Sequence, residues 1–197
     1  MEANKIIGIT GGIGSGKSVV SRLLEVLGVP VYIADTEAKR LMHTDSRIRE
    51  GLSNMFGAAI YSDGKLDKAQ LARSMFGHSD RLAQVNALVH PLVREDFRRW
   101  VALQRESGCH VVGLESAILI ESGFSSEVDD IWMIYAPLEV RLRRAMVRDG
   151  ASENDIRKRI CSQMDDEEKK NQAHHLVIND GFHLLIPQVK ILLGGIY

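Results

Sequence analysis

Gly11-Gly12-Ile13-Gly14-Ser15-Gly16-Lys17-Ser18 is the stretch that decides the fold. It follows G-x-x-x-x-G-K-[ST], the spacing of a loop that wraps phosphate groups. Its flanks agree. Residues 5–10 (KIIGIT) form a β-branched run that reads as a buried strand. Downstream, Val19, Val20, Leu23, Leu24 and Leu27 recur at helical spacing, and Gly28 is a suitable stop. The residue types suit the chemistry. Glycines let backbone N–H groups turn toward phosphate oxygens, and the helix start adds positive potential. Lys17 brings a mobile charge to the β- and γ-phosphates, and the Ser18 hydroxyl suits magnesium. The bland alternative, a glycine turn beside an exposed lysine, does not account for the full spacing in this context.

Working outward, residues 30–33 read as a second strand and 36–43 as a helix. Ser46 is placed to cap a helix toward Phe56, and 57–64 reads as a loop. Residues 67–76 and 80–106 look helical, with a boundary or kink at His90-Pro91. Strands follow at 110–114 and 130–135. Pro137 opens an arginine-rich helix, Ser152 caps another, 176–178 is a short strand and 181–193 a closing helix. Strands alternating with helices argue an α/β fold: a three-layer P-loop NTPase/kinase architecture on a parallel five-stranded sheet. The expected division is a core of 1–57, 109–137 and 171–197, a helical acceptor-binding insertion at 58–108, and a helical lid at 138–170.

Composition narrows the class. The chain has 197 residues, 45% hydrophobic and 26% charged, which is ordinary for one globular domain with insertions. At this length folding buries roughly 70% of the unfolded surface, so no staples are needed. A net charge of -1 speaks against a sequence-independent nucleic-acid binder. Cys109 and Cys161 show no metal spacing and fit reduced thiols. No apolar run reaches membrane-span length, and the first five residues lack an export signal. The expectation is a cytoplasmic protein of monomeric size, with a weak oligomer left open and no nucleic-acid or membrane partner.

A phosphate loop gives a nucleotide, not a function. No N-K-x-D guanine motif occurs, and the length leaves little room for a motor ATPase. A small-molecule kinase needs a base, a lid and an acceptor pocket. Asp35, just after the second strand, is the candidate base, since strand C-termini face the ligand crevice. The alternative for Asp35 is the cap of the following helix. Arg141, Arg144 and Arg148 share a helix face, with Arg157, Lys158 and Arg159 beyond. That face suits anion binding, or pairing with Asp149, Glu153 and Asp155. His90 is structural or an acceptor-site donor; Arg94 and Arg98 are solvated or meet an anionic acceptor. Neighbouring His174 and His175 point apart, against a metal site.

Together these stretches resemble the dephospho-CoA kinase family. Ile7 through Ser18 is similar to its I-x-L-T-G-G-I-G-S-G-K-S. Val31-Tyr32-Ile33-Ala34-Asp35 resembles V-I-D-A-D, Leu88-Val89-His90-Pro91-Leu92 resembles L-x-H-P-x, and Ala117-Ile118-Leu119-Ile120-Glu121 resembles P-L-L-F-E. Arg144 and Arg148-Asp149 fall at its lid arginines, Gln163 at a glutamine after the lid, and Asn179-Asp180-Gly181 at its adenine-side N-x-G. The set covers nearly the whole chain in order. The resemblance implies transfer of the ATP γ-phosphate to the ribose 3′-hydroxyl of dephospho-CoA, the last step of coenzyme A synthesis, with Mg2+. It implies that Gly11, Gly12, Ile13, Gly14, Ser15, Gly16, Lys17 and Ser18 hold phosphates, with Ser18 on the metal. Asn179 and Gly181 would border adenine. Asp35, Lys17, Arg144 and Arg148 would be catalytic, and Asp35 and His90 would meet the acceptor, with Arg94 added by its helix position and not by the resemblance. Two positions depart: Ile33 replaces the first Asp and Ala117 the Pro. Glu115, at a strand end, is a second acid placed like a Walker B residue. The competing readings are another small-molecule kinase, acting on a nucleoside or sugar, and a non-catalytic nucleotide-binding regulator.

Overall fold

The computed structural model describes residues 5–196. Residues 1–4, within which no export signal was read, and residue 197 lie outside the described part. Along the chain, β1 (Lys5–Thr10), α1 (Lys17–Val26) and β2 (Val31–Ile33) lead into α2 (Ala34–Thr44), α3 (Ser46–Phe56), β3 (Tyr61–Ser62), β4 (Lys65–Leu66), α4 (Lys68–Met75) and α5 (Ser79–Glu106). The second half runs β5 (Val111–Glu115), β6 (Asp130–Tyr135), α6 (Leu138–Asp149), α7 (Glu153–Cys161), α8 (Asp166–Gln172), β7 (His175–Ile178) and α9 (Leu185–Gly194). The chain divides into two compact units, 1–33 with 101–197, and Ala34–Trp100. The second unit includes α2 and α3 as well as the stretch from residue 58.

The first unit is built on a five-stranded sheet in the order β2-β5-β1-β6-β7, with every neighbouring pair parallel. The non-sequential order follows from the connections, because parallel neighbours need crossovers rather than hairpins. Ile7 and Ile9 of β1, Trp132 and Ile134 of β6 and Val177 of β7 are fully buried, as are Val20 and Leu24 of α1 and Val189 of α9. Alternation along β1 puts Gly8 on the opposite face, where a Cβ would meet Leu119 and Val128 at 2.8 and 3.0 Å. Register brings Ile9 level with Glu115 and Trp132. Ile33 pairs with Glu115 in turn, so the C-terminal ends of β2 and β5 lie level with the end of β1, where the phosphate loop leaves it, while β6 runs on to Tyr135.

Several expectations for the second unit are corrected. Asp45, not Ser46, caps α3, its carboxylate accepting from the Arg47 N–H at 2.9 Å. Residues 57–64 are not a plain loop: β3 and β4 pair antiparallel across Asp63-Gly64, both at positive φ (50° and 75°). Asp-Gly suits that tight turn. α5 runs unbroken through Pro91. Val85, Val89, Val93 and Phe97 form one buried stripe along it. Their burial, at ~1.5–3 kcal/mol each, outweighs the ~3 kcal/mol cost of an internal proline. Arg40 pairs with Asp96 and Arg47 with Glu95, so α2 and α3 are both tied to α5.

Candidate active site

The phosphate loop is shaped by its backbone. Gly14 and Gly16 sit at φ 77° and 97°, the left-handed region that favours glycine. Side chains there meet a second obstacle: a Cβ at Gly14 would strike the Arg141 carbonyl, and one at Gly16 the Asn179 amide. Asn179, at the end of β7, donates from Nδ2 to the Ser15 carbonyl at 2.8 Å. Arg144 Nη1 donates to the Asn179 carbonyl, also at 2.8 Å. Gln163 accepts the Ile13 N–H at Oε1, 3.0 Å away. Lys17 opens α1 and donates from Nζ to the carbonyls of Gly11 (2.9 Å) and Gly12 (3.4 Å). Gln163 and Asn179 thus both bond the loop backbone, and Arg144 bonds Asn179 behind it. Ser18 is exposed one residue into α1.

Glu115, at the end of β5, accepts from Ser21 Oγ at 2.6 Å. Ser21 is buried on α1, one turn beyond Lys17. A serine hydroxyl and a fixed carboxylate are hard oxygen donors of the kind magnesium takes. Among the described residues no group of three or more His, Cys, Asp or Glu is arranged to hold a metal. Magnesium is commonly held by one or two protein oxygens, with substrate phosphates and water completing its shell. The residues present therefore fit magnesium.

The arginines divide by environment. Arg141 is buried, 4% exposed, and ion-paired to Asp166 at the start of α8. Arg148 is exposed and paired with its neighbour Asp149, whose carboxyl it holds below the usual range. Arg159 reaches the same Asp149 at 2.9 Å. Arg157 pairs with Glu153 one turn back. Gly181 (φ 97°) lies in a tight turn closed by Asp180, whose carboxylate accepts the N–H groups of Phe182 and His183. Those N–H bonds, His183's first, pull its pKa down to about 2.

The remaining candidates belong to the second unit. Asp35 is exposed in the first turn of α2, which follows β2 without an intervening loop. It lies inside the helix rather than before it. His90 and Arg94 are half-buried one turn apart on α5. Burial, then the Arg94 charge, pushes the His90 pKa below its ordinary value. His174 and His175 both border Asp130 in the first unit, at 3.2 and 3.3 Å.

Three features were not anticipated. The Arg141–Asp166 pair and the Ser21–Glu115 bond join residues 25 and 94 positions apart. Lys169, fully buried on α8, bonds the Ala117 carbonyl and Glu121 at 3.0 and 2.9 Å. Glu121 also accepts the Met164 N–H. A helix as polar as Asp-Glu-Glu-Lys-Lys-Asn-Gln reads from sequence as solvated, and the only signal for Lys169 was its place four residues after the Asp165 cap.

A glycine loop of this spacing between β1 and α1 of a parallel sheet, with Lys17 opening the helix, defines the class as a P-loop nucleotide-binding fold, and the relatives narrow it to the kinases. A family model described as dephospho-CoA kinase matches residues 5–184. A dephospho-CoA kinase of Bacteroides fragilis is 53% identical over 97% of this chain and 92% of its own. A solved Thermus thermophilus protein superposes with a TM-score of 0.82 at 35% identity, covering 99% of this chain and 97% of its own. A Campylobacter jejuni dephospho-CoA kinase, at 22% identity and TM-score 0.69 over 96% and 95% of the chains, shares the fold. The chain belongs to the dephospho-CoA kinase family. It is an ATP-using kinase.

Proposed function

We propose that this chain transfers the γ-phosphate of ATP to the ribose 3′-hydroxyl of dephospho-CoA, giving CoA and ADP. The braced loop of residues 11–18, in a chain matched to that family over residues 5–184, is the observation that carries the reading most. Loop N–H groups and Lys17 hold the phosphates and offset charge on the transferring group. Ser18, with Glu115 as a second oxygen donor, would hold bound Mg2+, which would supply further charge neutralisation. Asp35 orients the acceptor hydroxyl and takes its proton. His90 and Arg94 bind the acceptor within the insertion, and Asn179 and Gly181 border adenine. Residues 138–170 act as a lid whose Arg144 and Arg148 close on phosphate, excluding water that would otherwise hydrolyse ATP. The setting is cytoplasmic and the acting species a monomer. Among the described residues no helix is long and apolar enough to cross a membrane.

The test is ADP release from ATP–magnesium with dephospho-CoA, a set of nucleosides and a set of sugars. Release that depends on dephospho-CoA alone supports the reading. Release with a nucleoside or sugar instead would replace the acceptor, and none with any acceptor would favour a regulator.

A further inference from the structure

Gly12 occupies a position that G-x-x-x-x-G-K-[ST] leaves open. Its φ is not among the positive ones, so its backbone does not demand glycine. What excludes a side chain is Arg141. A Cβ at Gly12 would fall on Arg141 Nη1, with Asp166 Oδ1 3.3 Å away. The Arg141 side chain is only 5% exposed, and its guanidinium is turned onto the loop rather than toward water. Its Nη2 bonds Asp166 Oδ2. The next loop residue, Ile13, donates its N–H to Gln163. Of two consecutive loop residues, Ile13 is thus bonded to Gln163 directly and Gly12 is tied to Asp166 through Arg141.

We infer that Arg141 is a positioning residue: packed on Gly12 and paired with Asp166, it fixes the Gly12–Ile13 crown of the phosphate loop and makes that shape depend on segment 163–166. The inference rests on the nucleotide reading above. It assigns Arg141 a place on the loop itself, apart from the phosphate-closing role of Arg144 and Arg148. It also explains why the loop opens with two glycines. A point charge cannot replace the planar fork that lies on Gly12 and reaches Asp166, so lysine is not equivalent to arginine here.

The test measures affinity for a non-hydrolysable ATP analogue by calorimetry, with kinetics and melting temperature alongside. Asp166→Asn keeps size at a partly exposed position and so keeps the fold. It should weaken analogue binding about threefold and leave the KM for dephospho-CoA unchanged. Arg141→Ala and Gly12→Ala should each weaken binding about tenfold, and the double variant no more than the worse single one, since both remove the same contact. Arg141→Lys should recover little. A purely structural role would lower melting temperature without moving the analogue affinity of the folded protein; that result for Asp166→Asn overturns the inference, as do fully multiplying losses in the double variant. Failure of the unsubstituted protein to bind the analogue would overturn the nucleotide reading and the inference with it.

Discussion

The phosphate loop and the second unit present their candidate residues in opposite ways. Around the loop, the backbone is already braced: Lys17 donates to two loop carbonyls, the Ile13 N–H to Gln163, and Asn179 to the Ser15 carbonyl. In the second unit Asp35 is exposed, and His90 and Arg94 are half-buried on a single helix. The contrast is one of preorganisation. A loop whose shape is braced before the ligand arrives needs little backbone reorganisation as charge develops, and that is where electrostatic catalysis gains. An exposed carboxylate offers no such bracing, so any geometry it takes with an acceptor is set when the acceptor arrives.

Replacing Lys17 strikes the preorganised side hardest. Lys17→Ala should lower kcat by about 10²–10³-fold, because its charge acts as negative charge shifts during transfer. Melting temperature should barely move, since the side chain contacts loop carbonyls rather than the apolar core. Turnover near that of the unsubstituted protein would remove Lys17, and with it the loop, from the chemistry. Asp35→Asn probes the other side. Kinetics should show a loss of about 10²-fold in kcat, the lower end for a general base because the transition state is loose. ATP affinity should hold, and the helix-start charge it gives up is worth under about 1 kcal/mol. Normal turnover with a lowered melting temperature would instead make Asp35 a helix-start residue and direct the search to Glu115.

A third substitution asks whether the bracing of the first unit is also structural. Glu121→Gln leaves the fully buried Lys169 charge without its carboxylate, and breaking such a pair costs about 3 kcal/mol. Lys169→Met fills the same space without a charge and should cost distinctly less. Chemical denaturation of both variants measures the order; equal losses would mean that the pair adds nothing beyond packing. The smallest effect concerns His90. Its folded-state pKa lies below its unfolded value of about 6.5. The unfolded chain therefore binds the proton more readily, so His90 contributes stability above about pH 6.5 that is lost as pH falls toward the folded-state pKa. His90→Asn should flatten that part of the stability–pH curve, and an unchanged slope would show that His90 titrates alike in both states.

Local order was legible where neighbouring residues determine it. The KIIGIT run, the glycine loop and the spacing of Val20 and Leu24 all act within one turn or one strand of each other, and β1 and α1 fall there. The hairpin β3–β4 escaped because two-residue strands carry no alternation to read, although Asp63-Gly64 was its signal. Pro91 argued for a break because the local rule says so; the buried stripe from Val85 to Phe97 overrides it. The braces on the phosphate loop were illegible for a different reason. Gln163 touches Ile13 across 150 positions, and Asn179 touches Ser15 across 164. No periodicity encodes a contact that exists only after the sheet has assembled.

The account turns on where the transferred phosphate goes, and phosphorus NMR of the product formed from ATP, magnesium and dephospho-CoA reads that directly. The expected result is a new monoester resonance on the ribose 3′ position of the acceptor, growing in step with ADP and about 10²–10³-fold more slowly with Lys17→Ala. ADP accompanied only by inorganic phosphate, or a phosphoryl group at any other position of the acceptor, would contradict it.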